Sequence, residues 1–270
     1  MFQKTMTRTA AAILAAAMTF GLAAGAQAGE RLDAVNAKKV LRVGTPADYR
    51  PFAMVENDAY VGHDIELIRA MAETAGWKVE FVRTPWKDLK AGIEGNKFDV
   101  AVGGITQTVE RTCWGVFLPG YAPFGKVALV TAGTSDRYKV PEDLNQPTVR
   151  VIKNPGGTNE KYVLEHMQKA QISTHEKNYE IPGLIAEGKG DVMITETAEA
   201  KIYLKKFPGK LEAVFMDDPL TPVSEMGFWM PKDDADFIRV MEQLWHLTDI
   251  RGTQEALEAV SYTHLRAHET

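Results

Sequence analysis

IEGNKFDVAVGG (residues 93–104) and IAEGKGDVMITE (residues 185–196) are one pattern written twice. Each runs through a helix end, a Gly/Lys turn and an Asp-led apolar stretch. Glycine supplies the left-handed backbone that stops a helix. A short apolar run after it reads as a strand buried on both faces. The same step in each half of the chain predicts two lobes rather than one core, and 270 residues suffice for two.

Outward from the first copy, VLRVGT (40–45) reads as a strand entering the loop PADYRPF, and GHDIELIRAMAETAG (62–76) as a helix with Ile65, Ile68, Met71, Ala72 and Ala75 at helical spacing. WKVEFVRT is a strand and WKDLKAGIEGNK a helix. Around the second copy, TVRVIKNPGG is strand and loop. NEKYVLEHMQKA is a helix, with Tyr162, Val163, Leu164 and Met167 available to one buried side. AQISTHE is a strand and IPGLIAEGKG a helix. Strands alternating with helices predict mostly parallel sheets, because parallel neighbours need crossovers. Ligands of such sheets bind beyond the carboxyl ends of the strands. The loops at those ends are PADY, TPW, GGITQTVER, NPGGTNE and ITETAE.

Composition excludes several classes. Hydrophobic residues are 45% and charged residues 25%, as in ordinary globular proteins. Lys4 and Arg8 precede an alanine-rich apolar run and Ala26-Gln27-Ala28, which together read as a cleaved export signal over residues 1–28. The chain beyond it carries 29 basic and 36 acidic residues, a formal charge of −7. No later run reaches the roughly 18 apolar residues of a membrane span. An acidic chain without a basic stripe does not fit nucleic acid. The six histidines lack metal spacing, so no metal is expected. The single cysteine, Cys113, cannot close an internal disulfide and is expected to be a buried thiol within TCWGVFL.

The loops carry the candidate chemistry. In NPGGTNEK, Gly156 and Gly157 allow a tight bend or a close approach to a ligand, while Asn154, Thr158 and Asn159 offer polar groups. Thr158 or Asn159 can cap the following helix, or the helix start can hold a carboxylate. Thr106, Thr108 and Arg111 form either a second anion site or two caps beside a surface arginine. Trp86 is a flat wall for a ring or ordinary packing. Asp48 is a loop cap or a cleft carboxylate, and Lys126 a solvated lysine or a cleft cation. Glu196 and Glu199, three apart, share a face if helical. In a dry cleft one of them would stay protonated and serve as a general acid. Alternatively, both simply favour the helix dipole.

Taken together, VGTPADYRPF, TPW, FDVAVGGIT, Glu110-Arg111, Gly125-Lys126, NPGGTNEK and GKGDVMITETAEA, in this order, resemble the family-3 periplasmic solute-binding proteins, and within them the secreted cyclohexadienyl dehydratases. The resemblance spans the chain from about LRVGT to QEALEA. It implies the type II periplasmic-binding-protein fold, an α/β fold of two lobes, each a mostly parallel sheet flanked by helices. It implies conversion of prephenate to phenylpyruvate, and of arogenate to phenylalanine, without a cofactor. By this resemblance Glu199 is the general acid and Trp86 lines the ring site. Arg111, Asn154, Thr158 and Asn159 are ligand contacts, and Asp48 and Lys126 are further cleft positions. Three positions depart from the dehydratase pattern: Gly103 replaces serine, Thr108 asparagine and Glu196 aspartate. The wider family also contains receptors that hand an amino acid or small carboxylate to an ABC importer permease. In those an acid near position 196 holds the ligand ammonium.

The expected organisation is a leader at 1–28, a first lobe of 29–131 plus 225–260, a second lobe of 132–224, and a non-native tail, SYTHLRAHET, at 261–270. The expected compartment is the periplasm.

Overall fold

The computed structural model describes residues 29–252. Residues 1–28, expected to be a leader, residues 253–260 and the expected tail at 261–270 lie outside the described residues.

Two five-stranded sheets organise the chain. The first orders Lys78–Arg83, Val40–Thr45, Val100–Ala101, Trp229–Pro231 and Gly115–Phe117. The second orders Gln171–Thr174, Arg150–Lys153, Val192–Glu196, Lys126–Thr131 and Leu211–Val214. In each, three parallel strands are joined through helices, a fourth strand runs antiparallel to them, and a fifth, antiparallel to the fourth, forms the edge. These are the two lobes of an α/β fold. The antiparallel strand in each sheet is the first laid down after the chain passes from one sheet to the other. It enters from the cleft side and so runs against the crossover strands.

The passage happens twice, side by side. Tyr121–Phe124 pairs antiparallel with Ser224–Met226, and Leu220 donates its N–H to the Lys126 carbonyl at 2.8 Å. Within these two sheets, strands before Phe124 build the first together with Trp229–Pro231, and those from Lys126 to Val214 build the second. Lys126–Thr131 therefore belongs to the second lobe and not to the first, where the expected boundary at 131 put it. Asp48–Tyr49, Ala53–Glu56 and Ala59–Val61 pair in a small sheet of their own.

The two copies of the opening pattern carry the same clamp. In the first lobe Asp99 accepts hydrogen bonds from Arg42 N at 2.9 Å, Arg42 Nε at 3.2 Å and Arg42 Nη2 at 2.6 Å. In the second, Asp191 accepts from Arg150 N at 2.8 Å, Nε at 3.1 Å and Nη2 at 2.7 Å. Each arginine also donates to a carbonyl of the preceding turn, Asn96 or Gly188. Packing behind the clamps is complementary. Phe98 fills the space over Gly44, where a Cβ would stand 2.5 Å from the ring. At the matching positions Ile152 fills the space over Gly190, where a Cβ would stand 2.6 Å from Ile152 Cδ1. Large over small became small over large, so the same layer is filled to native density twice.

Helix His63–Thr74 buries Ile65, Ile68, Met71 and Ala72 as its spacing predicted. Helix Gly157–His166 buries Tyr162 and Val163, with Met167 just beyond, but Leu164 is half exposed. One residue past Val163, Leu164 is turned about 100° away from the core stripe. Asp234 starts helix Ala235–Ile250 by accepting from Phe237 N at 2.9 Å. It also accepts from Arg31 N and Leu32 N at 2.9 and 3.1 Å, so one carboxylate serves two helix starts. Cys113 is exposed, not buried. It ends a one-turn surface helix, Val109–Thr112, and only GVF of its apolar run enters a strand. The neighbouring Trp114 stays half exposed beneath the Lys90 ammonium, 3.4 Å from its ring centre.

Candidate functional site

The five loops meet where the two sheets face each other, around one small cavity. Trp86, Thr106, Arg111, Asn154, Thr158, Asn159 and Glu196 all line it. Asp48, Lys126 and Glu199 do not line it, but each bonds to a residue that does. Thr108 is elsewhere engaged: its hydroxyl caps helix Val109–Thr112 by accepting from Arg111 N at 3.1 Å.

The glycines serve close approach. Helix Gly157–His166 starts without a side-chain cap, so neither Thr158 nor Asn159 is spent on that task. A Cβ on Gly156, whose φ is 81°, would stand 2.7 Å from Lys87 N of the facing lobe, and Gly157 lies under the Trp86 indole. Trp86 is fixed from the other side, its Nε1–H donating to Asp48 Oδ1 at 2.8 Å. Burial lifts the Asp48 carboxyl to about 6, and the Trp86 hydrogen bond and nearby Arg83 limit the rise.

Glu196 is the centre of a buried network. It ends strand Val192–Glu196 directly opposite Lys126 in the antiparallel register. Lys126 Nζ donates to Glu196 Oε1 at 2.9 Å, to Thr158 Oγ1 at 3.0 Å and to Asn159 Oδ1 at 2.5 Å. Glu196 Oε2 accepts from the Tyr49 hydroxyl at 2.5 Å and from Asn159 Nδ2 at 3.3 Å. Burial would raise this carboxyl, but the Lys126 charge and the Tyr49, Lys126 and Asn159 hydrogen bonds outweigh it and hold Glu196 below its ordinary range.

Glu199 has the opposite environment. It lies in the first turn of helix Thr197–Lys206 with no exposed surface. Burial pushes its carboxyl well above the ordinary range, and repulsion from Glu196 and Asp48 adds to this against hydrogen bonds from Thr195 and Asn178. Asn178 Nδ2 stands 2.9 Å from Glu199 Oε1, and Thr195 Oγ1 contacts Glu199 Oε2. Asn178 Oδ1 has no partner, nor does the buried hydroxyl of Tyr203, one helical turn from Glu199. A protonated Glu199 suits this shell. Its O–H can donate to Thr195 Oγ1, or to Asn178 with the amide turned over, which would satisfy the orphaned oxygen. Two carboxyls three residues apart are thus pushed in opposite directions, Glu196 toward its ionised form and Glu199 toward its neutral one.

Arg111 is the lining cation. Its Nη1 donates to the Thr106 carbonyl at 2.7 Å, and burial lowers its pKa to about 10, which leaves it charged at neutral pH. Among the described residues it has no ion-pair partner. Thr106 and Thr158 hydroxyls meet across the cleft at 3.4 Å. Three network members were not singled out from sequence: Tyr49, Thr195 and Asn178. The first two lie in loops already marked by position, whereas Asn178, in KNYE, carries no local signal. Gly103 is not an open ligand position. A Cβ there would stand 2.8 Å from Thr45 Oγ1, and its N–H donates to buried Asp64.

Residues 41–259 match bacterial extracellular solute-binding proteins, family 3, and the chain belongs to that family. Cyclohexadienyl dehydratase of Pseudomonas aeruginosa is 34% identical over 223 residues, 82% of each chain. An ancestral amino acid-binding protein, a precursor of cyclohexadienyl dehydratase, superimposes with a TM-score of 0.75 at 33% identity, over 84% of this chain and 96% of its own. An ancestral cyclohexadienyl dehydratase is 45% identical over 84% of this chain and 94% of its own, with a TM-score of 0.50. Other relatives are amino-acid-binding proteins. No described helix is long and apolar enough to cross a membrane.

Proposed function

We propose that the protein is a periplasmic cyclohexadienyl dehydratase with Glu199 as general acid. The observation that carries this reading is a carboxyl without exposed surface, its pKa pushed up by burial, behind a cleft that offers an arginine and an indole. A solute receptor has no use for a buried acid poised to donate. In the reaction, Glu199 gives its proton to the departing ring hydroxyl, which leaves as water. The bond between the ring and its carboxylate breaks, carbon dioxide leaves, and that electron pair completes the aromatic ring. One proton from solvent restores Glu199. Arg111 would hold a carboxylate, and Trp86 the ring. Asn178 stands between Glu199 and the cavity, so its side chain must turn aside as substrate enters.

That interposition also favours a second reading. With Glu199 shielded from the cavity, the protein would be a receptor that delivers an amino acid or small carboxylate to an ABC importer permease. Incubation with prephenate separates the two. Phenylpyruvate should form faster than in buffer alone, and Glu199→Gln should abolish that excess while the protein still binds phenylpyruvate. A folded protein with no excess product would leave the receptor reading.

A further inference from the structure

We propose that Glu160 is a positioning residue for the cleft: its carboxylate takes over the capping of helix Gly157–His166 and so frees Thr158 and Asn159 to hold Lys126. The inference rests on the cleft being the ligand site, as in the function proposed above, but not on turnover.

The NPGGTNE loop has little shape of its own. Gly156 and Gly157 both have a φ of 81°, a region that glycine enters freely and leaves as easily. Something outside the pair must hold it. Glu160 does so from the first turn of the helix, where its Oε2 accepts the Gly156 N–H at 2.6 Å. In an ordinary capping box the N-cap side chain bonds forward, and an acid three residues on bonds back. Here the N-cap is Gly156, with no side chain to bond forward, and the returning acid is one position further along the helix. The N–H that opens the helix therefore meets an internal carboxylate rather than a ligand's. Glu160 is itself anchored to the second sheet. Its Oε1 contacts Nζ of Lys153, the last residue of strand Arg150–Lys153, and Lys153 also donates to Thr174 Oγ1 on the neighbouring strand at 3.0 Å. Burial would raise the Glu160 carboxyl, but the Lys153 and Gly156 hydrogen bonds outweigh it and hold it below its ordinary range.

This anchor acts on the cleft without lining the cavity. With the helix start satisfied, Thr158 Oγ1 and Asn159 Oδ1 accept from Lys126 Nζ at 3.0 and 2.5 Å. Lys126 in turn holds Glu196. Gly157, in the same loop, lies under the Trp86 indole. One carboxylate on the second sheet thus sets both a buried cation and an aromatic wall of the site.

The test follows the Trp86 indole N–H by NMR in protein isotope-labelled at tryptophan, the signal being assigned by its loss in Trp86→Phe. In Glu160→Ala this signal should shift or broaden in the absence of any ligand. The Glu160 side chain is 25% exposed, so a small carboxylate from solvent can refill the place it leaves. Excess formate should return the signal toward its parent position, and equal chloride should not. Glu165→Ala, at an exposed position of the same helix, should leave the signal unmoved. Phenylpyruvate binding, measured by calorimetry, should weaken at least about tenfold in Glu160→Ala and recover with formate. An unmoved indole, a displaced one that formate does not restore, or unaltered affinity where the parent binds phenylpyruvate overturns the proposal. Should Glu160→Ala fail to fold, Glu160→Gln decides: it keeps an acceptor for Gly156 but not the charge that Lys153 meets, so the indole must still move. A parent that neither binds phenylpyruvate nor turns prephenate over sinks the function proposed above, while the indole signal still decides the role of Glu160.

Discussion

At the scale of single residues, burial decides which polar groups ionise. Asp48 is the measurable case. Its folded-state pKa is raised from 3.8 to about 6, so the folded protein binds this proton more tightly than the unfolded chain. Its contribution is full below about pH 4 and is lost as pH rises through 6, by up to about 3 kcal/mol. Asp48→Asn keeps an acceptor for Trp86 and removes the titration. Melting temperatures taken from pH 4 to 7 should therefore fall less in the variant than in the parent, and parallel curves would refute the assignment. Gly103 gives a second expectation. Its φ of 117° and the nearness of Thr45 and Ala53 oppose any side chain, so Gly103→Ser should cost about 1–3 kcal/mol in urea unfolding. Of the cleft residues named from sequence, Trp86, Thr106, Arg111, Asn154, Thr158 and Asn159 were placed by loop position. Whether they touched a ligand space or capped a helix was not legible, since a threonine before a helix does either. Thr108 caps, while Thr158 and Asn159 reach across to Lys126.

At the scale of elements, the chain repeats a device whose parts are far apart in sequence. The Asp-led strand was visible, but its partners, Arg42 in LRV and Arg150 in VRV, acquire meaning only once the strands lie side by side. The two clamps should differ in worth. Asp99 is 2% exposed and also meets Arg31 at 3.1 Å, whereas the Asp191 and Arg150 side chains are 27% and 46% exposed. Asp99→Asn should cost about 2–4 kcal/mol, since it unbalances buried charge. Solvent screening should hold Asp191→Asn to about 1 kcal/mol or less. Equal losses in paired urea melts would contradict this ranking. Helix His63–Thr74 was readable because it buries one regular stripe, while the exposure of Leu164 and Cys113 was not, because an apolar letter carries no direction.

At the scale of the molecule, the cleft is closed by backbone contact. Gly156 meets Trp86 and Lys87 across it, and Lys161 reaches Glu110 at the rim. The rim pair is exposed and contributes little. The glycine contact leaves no room for a side chain. Gly156→Val should prevent full closure, so the radius of gyration in solution scattering should stay at its ligand-free value under saturating phenylpyruvate, while the parent contracts. Identical contraction would remove Gly156 from the closing surface.

Residue order alone carried the duplicated α/β step, the alternation of strand and helix, and the loops at the strand ends. These follow from local rules: apolar period, glycine stops and strand direction. The charge state of the cleft came from elsewhere. Lys126 and Glu196 are seventy residues apart and opposed only through a sheet register. Glu199 is pushed toward its neutral form because burial strips its hydration and Glu196 and Asp48 repel its charge. Desolvation and Coulomb energy depend on distance through space, and that distance is set only when both lobes have folded and met.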